Sequence, residues 1–378
     1  MLLSSIPGQA EIKNHLVQTV QNGRVSHARL FMGAEGSGAL PLAVAYAQYI
    51  NCTDRTEVDS CGQCTSCIKF EKLAHPDLHF VVPVATTKKV TKDPTTDDFI
   101  TEWREAFINN PFLSINDWLD KLDIENKQVA INVEESQQII KKLSLRAYES
   151  EYKIMIIWLV EKMNVTASNK LLKVLEEPPD KTLFLLVCEN ADAILPTIIS
   201  RTQLLKIKPI EHNALASYLE FLHNVSPQQA QSIAFLAGGS YREAQRLLNH
   251  EVDENYTVFR QWMQRCYTGK IAELHAWVET FAKEGREAQK SFLVYGLGII
   301  RECIMLNYAG IEMVKLTGEE LTFVKNFARF IQNDNGQKLM AEFNRAIEHI
   351  ERNANPKVLF FDLSLTSCDL IRIHKPTQ

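Results

Sequence analysis

The sequence predicts an α/β fold, a parallel sheet covered by helices, followed by a remainder that is all helical. Three observations carry that expectation. Two continuous apolar runs of strand length, 153–159 and 182–188, flank a helical pattern over 165–176 that Pro178-Pro179 stops; a strand apolar on both faces belongs in a parallel sheet whose crossovers are helices. A short run, Ala28-Arg29-Leu30-Phe31-Met32, leads into a glycine-rich loop and then into the apolar stretch 40–50, the strand, loop, helix order of a phosphate-binding motif. From about Ile210 the strand signals vanish and helical patterns succeed one another.

Taken in order, the elements follow from local signals. Ile12, Leu16, Val17 and Val20 recur at helical spacing within 9–23, ahead of the first strand. Four cysteines interrupt the stretch after the glycine loop and its helix, and 79–84 then reads as a strand stopped by Pro83. Residues 86–128 are irregular. Thr, Lys and Asp dominate 86–98, the composition of a solvated loop, while 99–122 is rich in Trp, Phe and Leu and predicts one or two short helices. Lys88, Lys89 and Lys92 stand in that loop; so short and mixed a run reads as solvated, with contact to a phosphate backbone as the alternative. A helix carrying Ile139, Ile140, Leu143 and Leu145 opens at Val133, Pro227 marks a later helix start, and Gly238-Gly239 a helix junction.

The 378 residues suffice for two or three domains, and 46% apolar with 23% charged residues is ordinary for a globular protein. No run reaches the ~18 to 20 uninterrupted apolar residues of a membrane span, and the N-terminus lacks a charged then apolar leader pattern, so a cytoplasmic location is expected. The net charge of −5 means that any contact with nucleic acid needs a local basic surface.

Of the eight cysteines, Cys52, Cys61, Cys64 and Cys67 form a C-x₈-C-x₂-C-x₂-C frame. Thiolates at that spacing converge on one tetrahedral ion, and a closed Cys₄ set leaves no open position for water, so a structural Zn²⁺ is expected. Free thiols and an iron–sulfur cluster are the alternatives. Gly62 eases the turn between two of the ligands. Cys188, Cys266, Cys303 and Cys368 lie in apolar periodic segments and read as core residues.

Residues 33–40 fit the phosphate-loop frame G-x-x-x-x-G-K-[ST] at Gly33 and Gly38, with Gly36 between them, and then depart from it. Ala39 stands where the Lys that neutralises β- and γ-phosphates belongs, and Leu40 where the Mg²⁺-ligating hydroxyl belongs. The frame survives without its chemistry.

Several stretches together resemble the clamp-loader subunits of bacterial DNA polymerase III, an AAA+ family, and among them the delta-prime type. They are Gly8-Gln9, Ser26-His27-Ala28 with Leu30-Phe31, the four-Cys knuckle, and the highly specific run from Asn169-Lys170-Leu171-Leu172-Lys173 through Val174-Leu175-Glu176-Glu177-Pro178-Pro179. Leu195-Pro196-Thr197-Ile198-Ile199-Ser200-Arg201, Gly238-Gly239-Ser240-Tyr241-Arg242-Glu243-Ala244 and Asn353-Ala354-Asn355-Pro356-Lys357 follow in the family's order. The resemblance spans residues 8 to 360 apart from 86–128. It implies an AAA+ core over 1–209 containing the Cys₄ zinc knuckle (52–67) and the insertion (86–128), a helical lid over 210–250, and a C-terminal helical collar over 251–378 that holds a pentamer together.

The family's Walker B strand ends in acidic residues that hold Mg²⁺ and polarise the attacking water. The corresponding positions here are Trp158 and Leu159, and Glu161, a little further on, reads as a solvated surface carboxylate. Two losses agree, so ATP/Mg²⁺ is expected to be either not bound or bound without hydrolysis in this chain's own site. Arg242 sits where a sensor 2 arginine would meet nucleotide; without nucleotide it is left to pair with a Glu or cap a helix. Arg201 points the other way. In Ser200-Arg201-Thr202 it matches the family's Ser-Arg-Cys motif, with Thr for Cys, whose arginine reaches in trans to a neighbour's ATP, and a permanently charged planar guanidinium suits that task. A surface ion pair is the bland alternative. The resemblance therefore implies a catalytically silent subunit partnered by gamma/tau and delta subunits, the sliding clamp indirectly and primer-template DNA within the complex. Competing readings are an active, divergent ATPase of the gamma/tau type and a zinc-knuckle nucleic-acid-binding protein. Against the last stand the acidic chain and a knuckle without interleaved basic and aromatic residues.

Overall fold

The computed structural model describes residues 1–124, 129–144, 146–249, 252–314, 316 and 318–373. Contacts divide the chain into two compact units, Met1–Leu222 with Ala237–Glu243, and His223–Leu236 with Ala244–Gln378. The segment expected as a lid, 210–250, is shared between them.

In the first unit, helix α1 (Ala10–Gln21) precedes strand β1 (Ala28–Met32). The glycine loop opens into α2 (Ala39–Asn51), every residue of which is buried. Helix α3 (Thr65–Glu71) grows from the knuckle and leads to β2 (Leu78–Val81). The insertion supplies α4 (Ile100–Asn109) and α5 (Ile115–Lys121), the two short helices its composition predicts. Its leading loop is less solvated than expected: Thr96 is fully buried, because its hydroxyl accepts the Val82 amide (3.0 Å) and its own amide donates to buried Glu135 (2.6 Å). Then come α6 (Val133–Ser144), β3 (Lys153–Trp158), α7 (Val165–Glu176), β4 (Thr182–Cys188), α8 (Pro196–Ile199), β5 (Gln203–Lys206) and α9 (His212–His223). Leu145, expected on the α6 stripe, lies outside the described residues.

The five strands form one parallel sheet in the order β2-β3-β4-β1-β5. Strands β3 and β4 are buried along their whole length, as runs apolar on both faces require. Alternate side chains of the central strands, among them Leu30, Met155, Ile157, Phe184 and Leu186, pack with Ile139, Leu143, Leu171 and Leu175 of α6 and α7. Phe31 points to the opposite face, 6.3 Å from Tyr46 of α2. Edge strand β5 has no apolar signature; its Gln203 side chain accepts a 2.7 Å bond from buried Arg29.

The second unit is all helical. It holds α10 (Pro227–Leu236), the later part of α11 (Tyr241–Asn249), α12 (Val252–Thr268), α13 (Ile271–Phe281), α14 (Arg286–Ala309), α15 (Gly318–Phe327), α16 (Asn333–Glu351) and α17 (Pro356–Ile373). Its core centres on Phe259, Trp262, Phe292, Phe343 and Phe360. Helix α14 is long and apolar enough over Ala288–Ala309 to cross a membrane, but it gives Phe292, Leu293, Ile299, Ile300 and Cys303 to this core, and the core helix of a water-exposed unit passes the same test. Cys188, Cys266, Cys303 and Cys368 are all buried, as their apolar settings imply.

Candidate functional site

The glycine loop runs from the end of β1 to the start of α2, as a phosphate loop does. Gly38 caps α2 in the left-handed region (φ 94°), and Gly36 is left-handed as well (φ 76°). Gly36 has a second reason to lack a side chain: a Cβ there would collide with the Ser240 hydroxyl and lie 2.8 Å from the Arg242 amide. Ala39 and Leu40 are buried in the first turn of α2, where a working loop would present charge and hydroxyl to a ligand. The Ser37 hydroxyl is buried and without a hydrogen-bond partner among the described residues. The cavity over the loop has a volume of about 30 Å³. That is room for a few waters at most, far below the ~300 Å³ at which ligand pockets begin.

Aromatic rings close one side of it. Trp158, at the end of β3 where a metal-binding acid would stand, turns its ring onto Trp103 of α4 at 5.1 Å, and Trp103 meets Trp118 of α5 edge-on at 5.4 Å. Phe112, between those helices, lies in contact range of Gly38 and 4.6 Å from the Tyr241 ring. Carboxylates stand on the cavity's other side: Glu35 and Glu189 line it. Burial first, then the neighbouring carboxylates of Glu35 and Glu161, push Glu189 up to about 7, although part of its side chain meets solvent. Acids here oppose a polyphosphate.

Glu161 differs from its expectation. It is partly buried rather than solvated: one carboxylate oxygen accepts the amides of Glu189 (2.8 Å) and Asn190 (3.2 Å), and the other is buried with no partner among the described residues. Burial raises its pKa against those two amide bonds. Its observed role is to pin the end of β4, following the left-handed Leu159 (φ 53°) that turns the chain out of β3.

Arg242 pairs with an acid, and the acid comes from the insertion. Its guanidinium donates to Asp117 Oδ1 at 2.6 Å. Asp117 Oδ2 meanwhile accepts the amide (2.7 Å) and hydroxyl (2.9 Å) of Ser114, the capping box that starts α5. The segment around Arg242 is stitched directly to the glycine loop: Ser240 Oγ donates to the Glu35 carbonyl and the Tyr241 amide to the Gly36 carbonyl, both at 3.0 Å.

Arg201 emerges just after α8, about a third exposed, with its guanidinium on the Glu176 carboxylate at the end of α7, the Thr197 carbonyl (2.9 Å) and the Ser200 hydroxyl (3.4 Å). Those are exchangeable surface partners. Asp117 and Phe112 were not singled out from sequence, and Glu176 was named only as part of the 169–179 run; for Asp117 the Ser114-x-x-Asp117 capping pattern was a readable signal. Lys88, Lys89 and Lys92 project into solvent with loose pairings at 3.9–4.0 Å.

The four knuckle thiols converge. All four Sγ atoms lie within 4.8 Å of one another, with Cys52–Cys61 at 3.6 Å, Cys52–Cys64 at 4.0 Å and Cys61–Cys67 at 3.9 Å. A tetrahedron with Zn–S bonds of ~2.3 Å has edges of about 3.8 Å. The amides of Cys61, Gln63, Cys64 and Cys67 point at ligand sulfurs over 3.3–3.4 Å, the arrangement that stabilises thiolate. At Cys64 burial works toward the thiol, but hydrogen bonds from Thr53 and the Cys67 amide outweigh it and bring the group down to about 6. The four cysteines are positioned to bind a metal ion, and Gly62 makes the turn between them at φ 71°.

A family model described as DNA polymerase III, delta subunit, matches residues 8–211, more than half of the chain. The chain belongs to that family. It is similar to the DNA polymerase III delta' subunit of Bacillus subtilis (strain 168), 28% identical over 247 residues, 65% of this chain and 61% of that protein. It is also similar to the tau subunit of the same strain, 25% identical over 272 residues, 70% and 40% of the two chains. The matches span less than two thirds of both relatives. A solved gamma subunit-related protein of Thermotoga maritima covers 95% of this chain and is covered to 99%, at 14% identity and a TM-score of 0.39. The delta-family match takes in the glycine loop, the knuckle, the insertion and Arg201, and ends before Arg242.

Proposed function

We propose that this chain is a catalytically silent clamp-loader subunit of DNA polymerase III, of the delta-prime type. It neither binds nor hydrolyses ATP at its own loop, it donates Arg201 to the ATP site of a neighbouring subunit, and it scaffolds the ring that places a sliding clamp on primer-template DNA. The observation that carries the reading is the cavity of about 30 Å³ over a loop whose Lys and hydroxyl positions are buried Ala39 and Leu40. Phosphoryl transfer rests almost wholly on positioning and charge neutralisation, and this site offers little space and, among the described residues, no Lys or Arg in its lining, while presenting Glu35 and Glu189. The accessible position of Arg201, on partners it can exchange for phosphate, supports the finger.

Residues 210–250 then act as lid and 251–378 as collar, the surface for gamma/tau and delta partners in the cytoplasm. Zn²⁺ in the Cys52, Cys61, Cys64, Cys67 knuckle is structural: those thiolates hold the ion, and it supplies a fixed crosslink without an open coordination position. The deciding experiment reconstitutes the chain with its partner subunits. Arg201→Ala should leave assembly intact and lower DNA-stimulated ATPase at least tenfold, a floor set well below the ~10³ to 10⁵ that a finger is worth at a single site. Unchanged turnover in an assembled complex would refute the finger.

A further inference from the structure

The insertion has no counterpart in the motifs that carry the family resemblance, yet it is the part of the chain that closes the glycine loop. Three contacts do this. Phe112, only 5% exposed, abuts Gly38 and packs against Tyr241 with the two rings tilted at 57°. Asp117 gives Arg242 the anion that a phosphate would otherwise provide. Trp103, fully buried, packs on Trp158, while Trp118, also fully buried, meets Trp103 edge-on and its indole donates to the Pro83 carbonyl at 2.8 Å. One segment thus touches the loop, the end of β3 and the 240–242 strip together, the three parts that a bound nucleotide would bridge.

We propose that residues 111–118 are the built-in ligand of this site. Phe112 takes up the space above the loop, Asp117 is the resident carboxylate ligand of Arg242, and together they fix residues 237–243 against the loop in one arrangement. The inference rests on reading the site as nucleotide-free and adds what replaces the nucleotide. Position and charge both fit the role. Asp117 divides its oxygens, Oδ2 capping α5 and Oδ1 holding Arg242, so the helix that carries the ligand and the arginine that receives it are ordered by the same carboxylate. An Arg–carboxylate bond at partly buried positions is charge-assisted and directional, and the site pays no ordering cost at each loading cycle because its ligand is tethered. The lost Walker B acid is explained as well: Trp158 is the floor against which the insertion packs, and a carboxylate there would face indole rings.

The test uses the full chain and two readouts. In hydrogen exchange, Arg242→Gln and Phe112→Ala should each speed amide exchange in 237–243 and 33–40 by tenfold or more. Ser114→Ala, which weakens the α5 cap but leaves the Asp117–Arg242 pair, should leave exchange in 237–243 near its original rate. Binding is followed with a fluorescent ATP analogue. Repairing the loop alone (Ala39→Lys with Leu40→Thr) should give no binding, whereas the same repair combined with Phe112→Ala and Asp117→Asn should. Binding by the loop-repaired chain with the insertion intact would overturn the proposal, as would exchange in 237–243 that does not respond to Arg242→Gln. Binding of the analogue by the unaltered chain would instead sink the nucleotide-free reading beneath it, so the two failures are told apart.

Discussion

His79 carries a titration that the fold itself imposes. It sits on β2, and burial first, then Lys142 of α6 and Lys153 of β3, hold its pKa down at about 4, against smaller opposing pulls from Asp77 and Asp97. In the unfolded chain it titrates near 6.5. Between pH 6.5 and 4 the unfolded state therefore binds a proton that the folded state refuses, and stability falls as pH is lowered through that window, by on the order of 3 kcal/mol in all. The contribution is fully present above pH 6.5. His79→Gln should flatten the fall in melting temperature between pH 7 and pH 5 relative to the unaltered protein measured in the same buffers; parallel curves would show that His79 does not titrate this way. Asp77 adds an acid limit of its own: burial opposes its charge, but the amides of Tyr148, Glu149 and Ser150 at 2.6–2.9 Å outweigh burial and lower its pKa, so that its stabilisation persists to lower pH than a free carboxylate's and is lost below it. At this scale the sequence was readable wherever a residue type has one physical use. Gly33 and Gly38 marked the loop between strand and helix, and four cysteines at knuckle spacing had to converge. The approach of Phe112 to Gly38 and the pairing of Asp117 with Arg242 were unreadable, the second across a separation of 125 positions, because nothing in local periodicity records a long-range approach; only the capping role of Asp117 leaves a local signal.

Among the elements, the knuckle shows how a metal site and a helix start are built from one residue. Cys64 is the N-cap of α3, its sulfur accepting the Cys67 amide at 3.4 Å, and it is one of the four thiols. The loop that carries the thiols also holds the start of the chain, with Asp59 accepting the amides of Leu3 (3.0 Å) and Ser4 (2.9 Å). Cys64→Ser keeps an oxygen able to cap α3 and removes one metal ligand. The purified variant should therefore lose zinc by elemental analysis and melt lower, each kcal/mol lost costing roughly 2–4 °C in a unit of this size, with α3 still helical by circular dichroism at low temperature. An unaltered protein that contains no zinc would sink the assignment outright. Helix α3 and strand β5 escaped the sequence reading for a shared reason. The first is seven residues set by ligand geometry, and the second, Gln203–Lys206, is a mostly exposed edge that exists because β1 offers it hydrogen bonds. By contrast β3, α7 and β4 announced themselves, since burial on both faces leaves a strand no freedom to be polar.

For the whole molecule, the contact pattern predicts how it comes apart. The first unit's aromatic packing turns on Trp103, fully buried against Phe80, Phe107, Trp118 and Trp158. The second unit's turns on Trp262, fully buried against Phe259, Trp277, Phe292 and Phe343, its indole donating to Ser364 Oγ at 2.9 Å. Each Trp belongs to one unit only. Truncating a buried Trp to Ala removes ~3–5 kcal/mol through lost transfer and an unfilled cavity, which in a unit of about 200 residues amounts to roughly 10 °C. Calorimetry should resolve two transitions. Trp103→Ala should lower one of them by about that amount and leave the other in place, and Trp262→Ala should do the converse. Chelation of the knuckle metal should move the same transition as Trp103→Ala, because all four cysteines lie in the first unit. A single transition that both substitutions lower equally would mean that the two cores melt as one cooperative body, and that the division read from their contacts has no thermodynamic counterpart.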